Sequence, residues 1–240
     1  MRLKIKSSLM TVIAGLIFLA AGLAVTGCDD KTPPPEASST ATGFTFLNMG
    51  ADTVLSRSVR DNLGNSLGTA AVSYQTPIDL EINYPGFIET YFPPIFKRNR
   101  QLNDAANARR EHDTIKLMYR YPQEKSRVFK KVTLLFSGQS RKPLFFKIVA
   151  GKEGADIIDT MQKKYGAPKK IKWSHEPGTS YLWRKDNDFL VVSKVRDRFG
   201  DPEYRIAIYY GSNIDELIDA ERRKIQENEE KRKKAGRTAF

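Results

Sequence analysis

Apolar and polar positions divide the chain into three regimes. Leu9 to Val25 is a nearly unbroken apolar run. Residues 29–43 carry Pro33-Pro34-Pro35 and then Ser, Thr, Ala and Gly, without periodicity. Small polar residues cannot bury a core, and a triple proline is locally stiff, so this stretch reads as a linker. As a flexible coil it spans roughly 20 Å. From Phe44 onward apolar residues recur at the periods of helices and strands.

Val54, Leu55, Val59 and Leu63 have helical spacing, and Gly64 is placed to stop that helix. Ile78, Leu80 and Ile82 alternate with Asp79, Glu81 and Asn83, the period of a half-buried strand. Pro85-Gly86 turns the chain. Phe87, Ile88, Tyr91 and Phe92 follow, and Ile95, Phe96 and Leu102 continue as a short helix after Pro93-Pro94. Such aromatic density suits a core or an interdomain contact, with a partner groove or cofactor pocket as the alternatives. Asn103 to Arg110, polar and alanine-rich, reads as a junction.

Beyond Asp113 the alternation is clearer. Strands are expected at Asp113–Tyr121, Val128–Phe136 and Leu144–Val149, with a turn at Ser137-Gly138-Gln139-Ser140 and Pro143 entering the third. A helix follows over Gly154–Tyr165, where Ile157, Ile158, Met161 and Tyr165 share a face and Gly166 and Pro168 end it. Strands return at Ser180–Arg184, Phe189–Lys194 and Tyr204–Tyr210, turning at Asp186-Asn187 and at Phe199-Gly200-Asp201-Pro202. Asn213 is a candidate cap for a last helix with Leu217, Ile218 and Ile225 as its stripe. Farther on, Glu227–Lys231, Glu229–Lys233 and Glu230–Lys234 stand four apart in the order that favours an exposed helix. The expected fold is therefore α+β: an antiparallel meander sheet with one or two packed helices. A smaller mixed helix and strand region (44–112) precedes the sheet domain (113–212), and a charged C-terminal helix and tail (213–240) follows.

The leader adds a location. Arg2, Lys4 and Lys6 precede the apolar run, whose 17 or so residues are at the lower limit for a membrane span. Gly15, Gly22 and the small residues at its end suit an export signal with a cleavage site. Val25-Thr26-Gly27-Cys28 resembles the lipobox of bacterial lipoproteins, whose pattern is an aliphatic residue, a small one, Gly or Ala, then the modified Cys. The resemblance implies removal of 1–27 by cleavage between Gly27 and Cys28, diacylglyceryl attachment to the Cys28 sulfur, and often an amide-linked acyl chain such as palmitate. One acyl chain holds a protein only reversibly; two or three on one residue make the attachment effectively permanent. Asp29 and Asp30, directly after the cysteine, resemble the signal that retains such proteins in the inner membrane of enteric-type bacteria. The expected location is the periplasmic face of the inner membrane, ahead of the outer membrane.

Composition is compatible with this. The leader holds three of the 40 Lys and Arg and none of the 28 Asp and Glu, leaving 37 against 28, a formal charge of +9. Cys28 is the sole cysteine, so the mature chain forms no internal disulfide. An exported basic chain meets anionic lipid or acidic envelope partners rather than nucleic acid.

The inventory names no catalytic constellation. No glycine-rich phosphate loop, Gly-x-Ser-x-Gly elbow or metal-spaced histidine pair is present. His112 lies in the charged run Arg109-Arg110-Glu111-His112-Asp113, where a buried His–Asp couple is conceivable, but no nucleophile stands beside it; His175 reads as a surface residue. Asp186-Asn187-Asp188 lacks the glycine and distal Glu of a calcium loop and reads as a hairpin turn. Neither catalytic residues, metal nor cofactor is therefore expected. Charge placement is the one non-random feature: Lys125 to Lys172 is strongly basic, and Lys130, Lys131, Arg141, Lys142, Lys163, Lys164, Lys169 and Lys170 are candidates for a rim that meets an anionic surface. The function expected is a non-enzymatic envelope lipoprotein that binds an envelope protein or supports an assembly. The alternative is a module binding anionic lipid or cell-wall polymer through that rim.

Overall fold

The computed structural model describes residues 43–103, 110–174 and 177–238. Residues 1–42, with the leader, Gly27, Cys28, Asp29 and Asp30, lie outside this set, as does His175. The elements are α1 (Arg57–Leu67), β1 (Ala71–Thr76), α2 (Phe87–Tyr91), α3 (Pro93–Asn103), β2 (His112–Tyr119), β3 (Phe129–Ser137), β4 (Pro143–Ala150), α4 (Ile157–Tyr165), β5 (Lys169–Lys172), β6 (Thr179–Lys185), β7 (Asp188–Arg196), β8 (Pro202–Tyr209) and α5 (Gly211–Thr238). All eight strands make one antiparallel sheet in the order β1-β2-β3-β4-β8-β7-β6-β5. It consists of two four-stranded meanders that meet where β4 pairs with β8. The α+β class and the meander expected from the sequence are both present.

Both faces of the sheet are covered. Alternate residues of the central strands divide between two cores: Val132, Leu134, Phe146, Ile148, Leu190, Val192, Ile206 and Ile208 face one way. Leu135, Phe145, Phe189, Val191, Ala207 and Tyr209 face the other. Phe44, Met49, Leu55 and the α1 residues Leu63 and Leu67 close the first core, with Ile157, Ile158, Met161 and Tyr165 of α4 packed against it. Ile78–Ile82, α2, α3 and the start of α5 close the second. Residues 44–112 thus supply β1 to the sheet and chain to both of its faces.

Four local expectations change. Gly64 does not stop α1; the helix runs on to Gly68, whose φ of 83° turns the chain. Ile78, Leu80 and Ile82 are buried as their alternation implies, yet they form no strand. This segment crosses a face of the sheet, and side chains satisfy its backbone: Asn103 Nδ2 donates to the Ile78 carbonyl, Leu80 N–H donates to Asn99 Oδ1, and the Tyr209 hydroxyl donates to the Leu80 carbonyl. Asn213 does not cap α5, which begins two residues earlier. Its buried amide donates at 2.8 Å to the carbonyls of Ala51 and Pro143. The strands β1 and β5 at the two edges are additional to those expected. The turn at Asp186-Asn187 joins β6 to β7 as a hairpin.

The aromatic stretch is core. Phe87 lies 5.2 Å from both Tyr84 and Trp173 and 5.6 Å from Phe92, ring centre to ring centre. The second half of α5 leaves the body, and residues 222–235 are exposed.

Candidate functional site

The sheet disperses the basic residues singled out in the sequence. Lys130 and Lys131 begin β3, whereas Arg141 and Lys142 sit in the turn after its other end. Nine residues of strand put roughly 25–30 Å between these pairs. Lys163 and Lys164 end α4, and Lys169 and Lys170 occupy the far edge strand β5. Several are also engaged within the body. Lys130 pairs with Asp197 at 3.1 Å, Lys142 approaches Glu216 at 3.6 Å, and Lys164 donates to Thr45 Oγ1 at 2.8 Å. Lys170 lies over the Tyr181 ring. These eight residues do not form a single rim.

The described chain enters the body at one end of the sheet. Phe44 is buried edge-on to Tyr165, 5.1 Å between ring centres, and its carbonyl accepts from the buried Tyr210 hydroxyl. Thr45 N–H donates to the Tyr165 hydroxyl. The body therefore begins beside the end of α4 and the last residues of β8.

His112 is a structural residue in this geometry. It starts β2 in full burial, and Nδ1 stands 3.0 Å from both carboxylate oxygens of Glu221 on α5. Arg110 approaches the same carboxylate at 3.6 Å. The partner is Glu221 rather than the adjacent Asp113, because strand alternation turns Asp113 outward. Among the described residues, no three His, Cys, Asp or Glu side chains group as metal ligands, and no helix is long and apolar enough to cross a membrane.

A more distinctive arrangement lies at the β1 edge. Val72 and Tyr74 pair across from Leu117 and Ile115, which belong to the α1-side core, yet Val72 is 43% and Tyr74 61% exposed. Leu117 is buried in the core that Leu63 and Leu67 of α1 help close, while Val72 and Tyr74 beside it stay open. This leaves a cleft of about 370 Å³ between α1, the Gly68-Thr69-Ala70 loop and β1. Leu117, Val72 and Ala70 supply apolar surface, Arg60 and Lys125 supply two cations, and among the described residues no carboxylate lines the cleft. Arg60 Nε is buried without a hydrogen-bond partner among the described residues. Burial pushes the Tyr119 phenol up to about 12, and the neighbouring Arg60 guanidinium opposes that rise. A side chain at Gly64 would point into open space on this side of α1. Sequence reasoning missed the site because its residues come from α1, the following loop, β1, β2 and the turn before β3. The nearest signal was glycine inside a helical pattern, which costs about 1 kcal/mol relative to Ala.

Compared with protein-family models, with curated proteins and with solved structures, the chain matches none.

Proposed function

We propose that this protein is a non-enzymatic envelope lipoprotein: a body tethered through Cys28 to the periplasmic face of the inner membrane, where it binds a protein partner. The observation that carries this reading is the ordered series of basic leader, apolar run, Val25-Thr26-Gly27-Cys28 and polar linker, followed at Phe44 by a chain that packs into a folded body. Acyl chains on Cys28 supply the membrane affinity, so the body needs no membrane-seeking surface of its own. Asp29 and Asp30 support retention in the inner membrane. The buried pairing of His112 with Glu221 supports a scaffold role for that histidine in place of a catalytic one. The dispersal of Lys130, Lys131, Arg141 and Lys142 over opposite ends of β3 favours a protein partner over an anionic surface as the body's target.

Mass spectrometry of the native product tests the anchor. The expected mature chain starts at Cys28 and carries diacylglyceryl on sulfur, and Cys28→Ser accumulates as uncleaved precursor. A Cys28→Ser variant that is clipped after Gly27 and still membrane-bound, or a native chain with a free thiol and Met1 in place, refutes the reading.

A further inference from the structure

The two edges of the sheet are treated differently. The β5 edge is four residues long and three are lysines, a combination that discourages another strand from pairing. The β1 edge runs regularly from Ala71 to Tyr74 before a bulge at Gln75 (φ 53°), has no charge and no proline, and among the described residues no strand pairs its outer side. An open edge presents backbone N–H and C=O groups that an extended chain can satisfy. Beside this edge lies the cleft with Arg60 and Lys125, held open by Gly64.

We propose that the β1 edge and the α1 cleft together bind the C-terminal segment of a partner protein as an added antiparallel strand, its terminal carboxylate held by Arg60 and Lys125. The inference deepens the partner-binding part of the proposed function and rests on it. Direction follows from charge. The cations stand by Gly68, Ala70 and Val72, where β1 begins, and an antiparallel strand ends there with its carboxyl terminus. A parallel strand would bring its amino-terminal side to the same place. The Arg60 guanidinium lines the cleft and its Nε has no hydrogen-bond partner among the described residues, so a carboxylate entering there meets a cation able to form charge-assisted bonds. Val72 and Tyr74 turn to the cleft side, so alternate side chains of the incoming strand fall beside them. Beta-branched and aromatic residues suit those positions. A second copy pairing β1 with β1 offers no carboxylate from either strand, which leaves the two cations unanswered.

The test takes the full chain in detergent and screens it against random heptapeptides displayed with free carboxyl termini. Enriched peptides are expected to carry β-branched or aromatic residues at alternate positions. Their synthetic forms should lose at least tenfold in affinity on C-terminal amidation, and as much against the double variant Arg60→Gln/Lys125→Gln. Gly64→Leu fills the cleft from a half-buried helix position where a Cβ meets nothing within 4 Å, so it should abolish binding while the melting temperature stays level or rises. The absence of any enriched peptide overturns the proposal, as does binding that survives amidation or Gly64→Leu. So does dimerisation that Tyr74→Lys abolishes, since a second copy would then be the occupant. Binding that appears only after residues 29–42 are deleted also overturns it, because the chain's own linker would fill the groove. Photo-crosslinkers placed in cells at Tyr74 and at the remote, exposed Phe199 separate the two levels. Capture from Phe199 alone sinks the groove and leaves partner binding standing, whereas capture from neither sinks both.

Discussion

Asp188 shows how one side chain sets a pH response. It opens β7, and its carboxylate accepts the Gly211 N–H at 2.9 Å where α5 begins. Burial raises its pKa to about 6; Asp186 and Asp52 add to the rise, while the Gly211 bond and Arg98 oppose it. An ordinary Asp in the unfolded chain titrates near 3.9. The folded chain therefore holds this proton more tightly, and the associated stability is complete below about pH 4 and lost as pH rises through about 6. Partial exposure screens the effect, so the loss is on the order of 1 kcal/mol. Asp188→Asn should gain on wild type between pH 4.5 and 7.5 in urea titrations. An equal stability difference at both pH values would contradict the assignment. A second residue-scale prediction concerns the buried His112. Glu221→Ala strips Nδ1 of its acceptor and should cost about 1–3 kcal/mol. On the exposed part of the same helix, Glu227→Ala should stay within about 0.5 kcal/mol. Matched shifts of denaturation midpoint for the two would place His112 outside the load path between β2 and α5.

At the scale of elements, what was legible in the sequence was burial, and what was not was pairing. The strands β2, β3, β4, β6, β7 and β8 announce themselves because one or both faces are buried, and apolar alternation records that burial directly. Strands β1 and β5 sit at the edges, where most side chains are exposed and record little. Ile78, Leu80 and Ile82 show the converse, with real burial and no neighbouring strand. Which groups satisfy that backbone depends on Asn99, Asn103 and Tyr209, and only the folded chain brings these together. Helix α1 ends at Gly68 because a residue there needs positive φ, whereas Gly64 keeps helical geometry and is tolerated inside it. The groove was illegible for the same reason as the pairing: Arg60, Val72, Leu117 and Lys125 are neighbours only across the sheet. Helix α5 divides by the same logic. Ile214, Leu217 and Ile218 seat it on the second core, and residues 222–235 are exposed. Truncation after Ile225 should lower the melting temperature by no more than a few degrees, whereas Leu217→Ala should cost about 2–5 kcal/mol. A collapse of the fold on truncation at 225 would show that the charged half of α5 packs somewhere on the body.

For the whole molecule, the two stretches that composition separates are joined by the strongest means a β protein has. Residues 44–112 contribute β1 to the sheet, Phe44, Leu55, Leu63 and Leu67 to one core, and Ile78 to Leu102 to the other. Residues 113–212 cannot expose either face without stranding these groups in water, so the body should unfold as one unit. Both tryptophans, Trp173 and Trp183, lie in the later stretch, and Trp183 Nε1 donates to the Gly166 carbonyl at 2.7 Å beside α4. Their fluorescence therefore reports on residues far along the chain from α1. Leu63→Ala empties a buried site in α1 and should cost about 2–5 kcal/mol. If the cores are coupled, tryptophan fluorescence and far-ultraviolet circular dichroism will shift together to the same lower denaturant midpoint. A circular dichroism transition that moves while the fluorescence midpoint stays fixed would show α1 and its surroundings unfolding alone. The β1 groove would then be an element that forms and melts independently of the sheet behind it.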